Sequence, residues 1–269
     1  MNESASQRKI DYSRAPAFEV LFHLGKTTMR PGGMELTLRM LDELQIDERD
    51  KVVELAPGRG ATTRMVLKFL PQSYAAVERD QSSQQNVQEI LRNGELGQCV
   101  IGTAQATGLD DGYASVVFGE AMLTMQSRAM RLKIAKEAFR LLNPGGRYGI
   151  HETCLREDSS AEVKTEIEGA LRDVLRVGAR PLTLKEWQEL LEEAGFSVQK
   201  IHRAPMLLLE PKRIIRDEGL KGGLKFVSRV ITSPSARRRI LGMRQTFKQY
   251  SDYIDAAALV AVKPKISMP

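Results

Sequence analysis

Two glycines lie in a short turn between an apolar strand segment and a predicted helix, and an acidic residue stands on either side of them. Residues 51–55 have the branched, apolar character of a buried strand, and Gly58 and Gly60 follow it. Because glycine has no Cβ, the backbone here can adopt positive φ and let a ligand rest against the peptide. Glu54 lies in the strand, and Glu78 ends the next predicted strand, eighteen positions after Gly60. A carboxylate at that place accepts hydrogen bonds from ribose hydroxyls, so the pattern predicts a nucleoside cofactor.

The same turn discriminates between nucleoside cofactors. A dinucleotide-binding turn needs a third glycine so that helix and pyrophosphate come close, and Thr63 occupies that position here. The charge of Glu54 would repel a pyrophosphate but suits the ammonium group of a methionine moiety. The residues therefore favour S-adenosylmethionine over a nicotinamide dinucleotide, with Glu54 and Glu78 at opposite ends of the cofactor.

Short β-rich segments alternate with helical patterns, which is typical of an α/β sheet. The predicted strands cover residues 51–55, 74–78, 99–101, 114–118, 147–151, 197–201 and 256–262. Apolar residues three and four apart predict helices over 62–70, 81–91, 129–142 and 184–194. Seven strands with helices between them predict a doubly wound sheet that positions the glycine turn at the carboxyl end of its first strand.

Two segments lie outside this alternation: the N-terminal stretch to about residue 33, and residues 203–255, which are too long for a simple connection. In the second segment, apolar residues from 240 to 254 step by three and four and predict an amphipathic helix. Gly222-Gly223 and Pro234 predict breaks between helices. We expect these segments to cover the sheet and hold a substrate.

Several motifs are similar to those of the class I S-adenosylmethionine-dependent methyltransferases, especially the group that includes the ubiquinone and menaquinone methyltransferases. Residues 54–60 resemble the E-x-G-x-G-x-G loop of that family, with Ala56 at its first glycine. Residues 102–105 resemble the G-D-A-x turn after the third strand, with Thr103 in place of the aspartate. Residues 142–147 resemble the L-x-P-G-G turn before the fifth strand of that family, a specific motif, and further similarities cover residues 109–118, 186–196 and 257–263.

The resemblance implies a Rossmann-like seven-stranded sheet with an antiparallel last strand, methyltransferase activity and S-adenosyl-L-methionine as cofactor. It also implies a set of cofactor contacts, which are Glu54, Ala56, Pro57, Gly58, Gly60, Glu78, Arg79, Thr103, Ala104, Gln105 and Gly119. With Thr103 at the aspartate position, the adenine contacts are expected from the Ala104 amide and from the Thr103 or Gln105 side chain.

Catalytic candidates follow the fourth and fifth predicted strands, where ligands of open α/β sheets bind. Glu120 and His151 stand there, and Glu152 competes with His151. Methyl transfer from a sulfonium depends mainly on positioning, so a general base is needed only if the acceptor must lose a proton. His151 is therefore either a base or a hydrogen-bonded structural histidine. Arg30, in a turn before a predicted helix, is either a counter-ion for the cofactor carboxylate or part of a plain helix start.

Charge is distributed unevenly along the chain, which carries a formal net charge of +6. Residues 203–248 contain twelve Lys or Arg and three acidic residues, so this segment has a charge of +9 and the rest has −3. This favours either an anionic partner, which can be a substrate, a lipid headgroup or a nucleic acid, or simply the solvated faces of helices.

Composition excludes other classes. Two cysteines cannot form a disulfide framework, and with three histidines they make a poor metal site, so no metal is expected. No apolar run reaches the length of a membrane-spanning helix, and the first nine residues lack the apolar stretch of a signal peptide. We therefore expect a cytoplasmic protein without a membrane span, for which peripheral membrane contact stays open.

These observations divide the chain into four parts: a helical N-terminal cap (1–45), an S-adenosylmethionine-binding α/β core (46–202), a helical insert that covers the substrate (203–255), and the final strand with a tail (256–269). The favoured function is methyl transfer to a small, partly hydrophobic acceptor by in-line displacement. An RNA methyltransferase that uses the basic segment is one alternative, although Gly119-Glu120-Ala121-Met122 differs from the Asn/Asp-Pro-Pro-aromatic motif of adenine amino methylation. A non-catalytic cofactor-binding module is the other.

Overall fold

The computed structural model describes residues 10–92 and 97–265, and a mixed sheet of eight strands forms its centre. The strands are β1 (Lys51–Leu55), β2 (Ser73–Glu78), β3 (Gly97–Ile101), β4 (Ala114–Glu120), β5 (Leu142–Leu155), β6 (Leu182–Thr183), β7 (Ser197–Pro205) and β8 (Ile254–Val262). Their order is β3-β2-β1-β4-β5-β8-β7, with the short β6 paired to β5. Only β8 runs antiparallel to its neighbours among the described strands. The predicted α/β class and the antiparallel last strand are confirmed.

Nine α-helices and one 3₁₀ turn surround the sheet in the described ranges. They are α1 (Ala17–Leu24), α2 (Gly33–Leu44), α3 (Thr63–Val66) with the 3₁₀ turn Leu67–Phe69, α4 (Gln81–Arg92), α5 (Arg128–Leu141), α6 (Ala161–Leu175), α7 (Leu184–Glu193), α8 (Pro211–Thr232) and α9 (Pro234–Gln249). The side chain of Ser127 caps α5, and a reciprocal capping box between Thr183 and Glu186 starts α7. Local sequence thus fixes where these core helices begin.

The direction in which strands are added to the sheet reverses between β1 and β4. The chain adds β2 and β3 on one side of β1, and it adds β5 on the far side of β4. Parallel strands end at the same edge, so the turns after β1, β2, β4 and β5 meet there. Register pairs Leu55 of β1 with Val77 of β2 and with Gly119 of β4. Every predicted site residue between 54 and 151 therefore lies near this edge.

Apolar side chains form three clusters, two on the faces of the sheet and one beyond it. The cluster under α5 and α7 surrounds Trp187, whose indole N–H donates to the carbonyl of Thr153 at 3.1 Å. The opposite face packs against α2 and α4, with Met40 and Val87 fully buried. The third cluster joins α1, α6, α8 and α9, which together form the cap, and it reaches the sheet through Leu155 at the end of β5 and Ile254 at the start of β8.

Several element predictions differ from the structure. Helix α6 and strand β6 were not expected, although Val163, Ile167 and Leu171 have helical spacing. The Asn143-Pro144-Gly145-Gly146 motif follows the end of α5 at Leu141 and bends the first part of β5, where the register with β4 is irregular. That motif belongs to a strand of fourteen residues, longer than predicted, because β8 pairs along its whole second half.

The predicted helix break at Gly222-Gly223 is wrong. Helix α8 instead bends sharply at Gly219, where φ is 72° and ψ is 168°. The two halves fold against each other so closely that a Cβ on Gly223 would lie 3.0 Å from the Cα of Ile215. Gly223 therefore serves close packing inside a helix. The break predicted at Pro234 is confirmed, since this residue starts α9 after the Ser233 cap.

Two glycine substitutions in the insert should shift stability in opposite directions. Gly219→Ala places a Cβ on a conformation open mainly to glycine and should lower the free energy of unfolding by about 1–3 kcal/mol. Gly242→Ala lies inside α9, where a Cβ meets no atom within 4 Å, and should raise it by up to about 1 kcal/mol. Urea unfolding curves measure both. Equal shifts would show that the bend is not strained.

Candidate functional site

The turn after β1 has an unusual backbone. Ala56, Gly58 and Gly60 have φ values of 54°, 57° and 72°, so alternate residues adopt the left-handed conformation. A Cβ on Gly60 would lie 2.4 Å from Cδ1 of Ile90 in α4, so a larger residue there would require the isoleucine side chain to move. Ala56 adopts the left-handed conformation although it has a Cβ, and this conformation costs energy for an L-residue. The cost explains why the similar loop of the methyltransferase family has glycine at this position. The amide of Ala56 donates to the carbonyl of Val77 and fixes the turn to β2 at 2.9 Å.

Glu78 ties this turn to the end of β2. Its carboxylate accepts the backbone N–H of Gly58 at 3.1 Å, of Arg79 at 2.8 Å and of Asp80 at 3.0 Å. Three backbone donors around one carboxylate hold the acid in place beside the cavity that it lines. The glycine turn, which precedes Glu78 in the sequence, thus helps to position the carboxylate that is predicted to bind ribose.

Glu54 lies buried at the base of the cavity. One of its carboxylate oxygens accepts the hydroxyl of Thr63 at 2.6 Å and also the hydroxyl of Tyr74. Burial dominates over these hydrogen bonds and raises the pKa of Glu54 to about 7. The side chain therefore changes charge near neutral pH, and a cation beside it would favour the ionised form.

Glu120, at the end of β4, is the centre of a buried polar network. Its oxygens accept hydroxyls from Thr37 of α2 and Thr62 of the glycine turn. Nε of Arg30 lies 3.7 Å from Oε2, and Nδ1 of His151 lies 2.9 Å from Oε1. Burial acts to raise the pKa of Glu120, but the hydrogen bond from His151 and the charge of Arg30 outweigh it and lower the pKa to about 2.

His151 has no free ring nitrogen in this arrangement. The backbone N–H of Gly32 donates to Nε2 at 3.0 Å, so Nε2 carries the lone pair. The proton of the neutral ring then lies on Nδ1, which faces Glu120. The side chain is completely buried and does not line the cavity. His151 connects the turn before α2 to the carboxylate of Glu120.

Glu152, the competitor of His151, points to a different place. Its carboxylate accepts the backbone N–H of Met122, Leu123 and Thr124 at 2.7–3.0 Å, together with the Thr124 hydroxyl. Burial raises its pKa. The residue does not line the cavity; it holds the loop that follows β4.

Arg30 is buried, with only 2% of its surface exposed. Its Nη2 donates to the hydroxyl of Thr62 at 2.8 Å, whereas Nε has no hydrogen-bond partner among the described residues. The side chain lines the cavity next to Glu54 and Glu120. An unpartnered N–H of a buried cation can receive an anionic ligand group, so both the counter-ion and the structural hypothesis keep support.

A buried ion cluster ties the N-terminal segment to the insert. Nζ of Lys26 lies 3.3 Å from Glu218 and 3.9 Å from Asp217, just before the bend of α8, and all three side chains are almost completely buried. Glu218 also accepts the backbone N–H of Thr27 at 2.9 Å, and Asp217 accepts that of Met34 at 3.1 Å. Burial lowers the pKa of Lys26 and raises that of Asp217. The segment that carries Arg30 is thus anchored at both ends to α8.

One cavity of about 1450 Å³ contains most of the predicted contacts. It is lined by Glu54, Ala56, Pro57, Gly58, Glu78, Arg79, Thr103, Ala104, Gln105 and Glu120. Three of the predicted site residues do not line the cavity, namely Gly60, Gly119 and His151. Gly119 packs between strands, since a Cβ there would lie 3.0 Å from the sulfur of Met122. The cavity exceeds the 300–1,000 Å³ usual for a single ligand, so it has room for two.

Beyond the polar residues, the cavity continues into an apolar end, to which the N-terminal segment and the insert contribute together with α6, a helix that the sequence did not predict. Its wall comes from α1, α6, the connection after β7, and α9, with Leu21, Leu171, Leu175, Leu208 and Phe247. Met122, Met125 and Met130, which follow β4, also line the cavity. The helical spacing of residues 163–175 was the signal that could have revealed the contribution of α6.

Two classes of site have no support in the residues described. No group of three or more His, Cys, Asp or Glu within 10–92 and 97–265 can hold a metal ion. Within the same ranges no helix has the length and apolar character needed to cross a bilayer. The predicted cytoplasmic location stays a prediction.

Comparison with known proteins gives similarity in sequence and in structure. The family described as Ribosomal RNA adenine dimethylase matches residues 35–98. A protein of Haemophilus influenzae described only as uncharacterized is 29% identical over 235 residues, which cover 86% of this chain and 90% of that protein.

Solved structures share the whole architecture. A candidate sarcosine dimethylglycine methyltransferase from Galdieria sulphuraria matches with a TM-score of 0.72 at 16% identity, covering 92% of this chain and 98% of that one. Phosphoethanolamine N-methyltransferase 2 of Haemonchus contortus, in complex with phosphomonomethylethanolamine and S-adenosylhomocysteine, matches with a TM-score of 0.68 at 16% identity, covering 93% and 57% of the two chains.

These likenesses confirm the predicted Rossmann-like methyltransferase fold. The family match over residues 35–98 and the shared fold support the predicted resemblance to the class I S-adenosylmethionine-dependent methyltransferases. The narrower resemblance to the ubiquinone and menaquinone group stays a prediction.

Replacement of Glu120 should change how stability depends on pH. The folded pKa of about 2 is lower than the usual value of 4.5, so the ionised carboxylate stabilises the fold above about pH 4.5 and this contribution is lost as pH falls toward 2. Between pH 6 and pH 3 the wild type should lose about 2 kcal/mol more unfolding free energy than Glu120→Gln. Urea unfolding across this range measures the difference. If the unfolding free energies of the wild type and of Glu120→Gln depend on pH in the same way, the stabilising role of the network around Glu120 is contradicted.

Proposed function

We propose that this chain, which has the fold of the class I S-adenosylmethionine-dependent methyltransferases, transfers the cofactor methyl group to a small, largely apolar acceptor. The observation that carries the proposal is one continuous cavity, with the glycine turn and three acidic residues in one part and an apolar end in the other. An acceptor in the apolar end would meet the cofactor inside the protein, shielded from water by the cap.

The residues of the cavity fit the cofactor part by part. Glu78 is held by three backbone donors and keeps acceptor capacity for ribose hydroxyls. Residues 103–105 line the same side and are assigned to the adenine. Glu54 is assigned to the ammonium group, and the unpartnered Nε of Arg30 to the carboxylate. Four different chemical groups of the cofactor thus find complementary residues.

The bound cofactor supplies an activated methyl group on a positively charged sulfur, so the protein contributes mainly geometry. Alignment of two reactants in a closed site is worth about 7–11 kcal/mol at best. Glu54, Glu78 and the glycine turn hold the donor side, and the apolar wall orients the acceptor.

Glu120 and His151 are assigned to positioning. A carboxylate with a pKa of about 2 that already accepts three side-chain hydrogen bonds is a weak base. Both nitrogens of His151 are occupied. We infer that the pair fixes Arg30, Thr37 and Thr62 around the donor, so transfer proceeds without either residue taking a proton from the acceptor.

The acceptor is assigned from the wall that faces it. Leu21, Leu171, Leu175, Leu208 and Phe247 offer apolar surface, and no charged side chain of α6 lines that end among the described residues. The Haemonchus contortus neighbour bound to phosphomonomethylethanolamine supports a small-molecule acceptor for this architecture. The apolar wall favours an acceptor with more hydrocarbon surface.

RNA methylation is the second candidate, and one observation favours it: the matching family is described as Ribosomal RNA adenine dimethylase. The match covers residues 35–98, which contain the cofactor turn but neither the loop after β4 nor the insert. The part that matches is thus the part that holds the donor. Acceptor choice depends on the remainder.

Labelled cofactor separates these candidates. A cell extract incubated with the protein and with S-adenosylmethionine carrying a radioactive methyl group should yield label in an organic-solvent-soluble fraction. Label confined to RNA, lost in high salt, would favour the second candidate. Cofactor binding without labelled product in any fraction would contradict transferase activity.

Glu78→Gln should weaken binding of S-adenosylhomocysteine by about tenfold to a hundredfold. The amide keeps the size of the side chain but lowers its ability to accept from the turn and from ribose. Calorimetric titration measures the dissociation constant, and Glu48→Gln, an exposed glutamate away from the cavity, is the control. Unchanged affinity in Glu78→Gln would sink the assignment of this acid to the cofactor.

Affinity for S-adenosylmethionine should rise as pH increases from 5.5 to 7.5. Burial raises the pKa of Glu54 to about 7, so binding of an ammonium at low pH must first remove a proton. Below this pKa, affinity should fall by up to about tenfold for each pH unit. Titrations at several pH values should show the slope in the wild type and its loss in Glu54→Gln. A slope that persists in the variant would assign the effect to another group.

A further inference from the structure

The second half of α8 exposes an apolar stripe to solvent. Its members are Leu220, Leu224, Val227 and Ile231, with 66%, 58%, 36% and 61% of their surface exposed. They are four, three and four positions apart, so they lie on one face of the helix. The opposite face packs on the protein through Phe226, which is buried. This stripe faces away from the cap core and has no role in the cavity.

Cations flank the stripe, and acidic residues are absent from this part of the sequence. From Gly219 to Ser251 the chain has eight Lys or Arg and no Asp or Glu. Lys221 and Lys225 follow stripe residues directly and are exposed, as are Arg237 and Arg238 at the start of α9. None of these four makes an ion pair with a residue that the structure describes. The charges are therefore available to an anionic partner.

We propose that the second half of α8 docks on an anionic lipid surface, with the stripe in the acyl boundary and the lysines and arginines among the headgroups. A helix with one apolar face and flanking cations binds a membrane interface by both interactions together. No spanning helix is required. The proposal concerns docking alone and stands or falls independently of the methyl transfer proposed above.

Two other partners fit this face less well. A surface that binds RNA stacks bases on aromatic side chains, whereas the three aromatic residues between 219 and 251, Phe226, Phe247 and Tyr250, are all buried. A symmetric dimer would place the same cationic segment of two copies face to face, and the like charges would repel. Apolar stripe and positive charge together favour a lipid surface.

Vesicle sedimentation tests the proposal with the full chain. The protein should sediment with phosphatidylcholine vesicles that contain phosphatidylglycerol, and much less with phosphatidylcholine alone. Leu224→Ser with Ile231→Ser should lower the partition coefficient by about tenfold, because the stripe loses apolar surface. Lys221→Glu with Lys225→Glu should lower it by about tenfold or more.

A matched control removes an equally exposed leucine elsewhere. Leu70→Asn lies at a left-handed position that asparagine tolerates, with 62% of Leu70 exposed and far from the insert in sequence, and this variant should bind vesicles like the wild type. Circular dichroism and calorimetry with S-adenosylhomocysteine establish that every variant is folded.

Four results would overturn the proposal. The first two are that the wild type does not partition into anionic vesicles, or that both double variants partition as well as the wild type. The third is that the protein binds RNA more strongly than vesicles and that Leu224→Ser with Ile231→Ser leaves RNA binding unchanged. The fourth is that sedimentation velocity shows a dimer that this double variant converts to a monomer.

Discussion

The carboxylate of Glu120 connects more of the site than any other group described. It accepts from α2 through Thr37, from the glycine turn through Thr62 and from β5 through His151, and it lies beside Arg30. A buried anion is costly unless it is paired and hydrogen-bonded, so each of these groups must be in place for the others to be stable. The N-terminal cap, the first turn and two strands are thereby fixed around one charge. This constraint makes the donor side of the cavity rigid before any ligand arrives.

Local patterns in the sequence were enough to predict the sheet and the donor side of the site. Strand, glycine turn and acid lie close together in the chain, so Gly58 and Glu78 could be placed from spacing alone, and the structure joins them at 3.1 Å. The contacts of Glu120 could not be predicted in this way. Thr37 and Glu120 are 83 positions apart, and nothing in the spacing of either residue indicates that α2 crosses the end of β4.

The cap shows a second limit of sequence patterns. A glycine pair normally marks a helix break, yet Gly222 and Gly223 lie inside a helix because the two halves of α8 approach too closely for a side chain. The bend occurs at Gly219, a single glycine that the pattern did not distinguish. Likewise, α6 lies between two core strands but contributes Leu171 and Leu175 to the apolar end of the cavity. The sequence pattern does not show that this helix lines the acceptor side of the cavity, and the folded structure does.

The ion cluster of Lys26, Asp217 and Glu218 joins parts of the chain that are about 190 residues apart, since Thr28 and Glu218 are separated by 190 positions. Removing one member would leave an uncompensated buried charge, which is strongly destabilising, so we expect the three side chains to stay together. The segment of residues 26–34, which carries Arg30, and the two halves of α8 are therefore held together as one rigid unit. A displacement of α8 would therefore also shift the backbone of residues 26–34, and with it the guanidinium of Arg30 that lines the cavity.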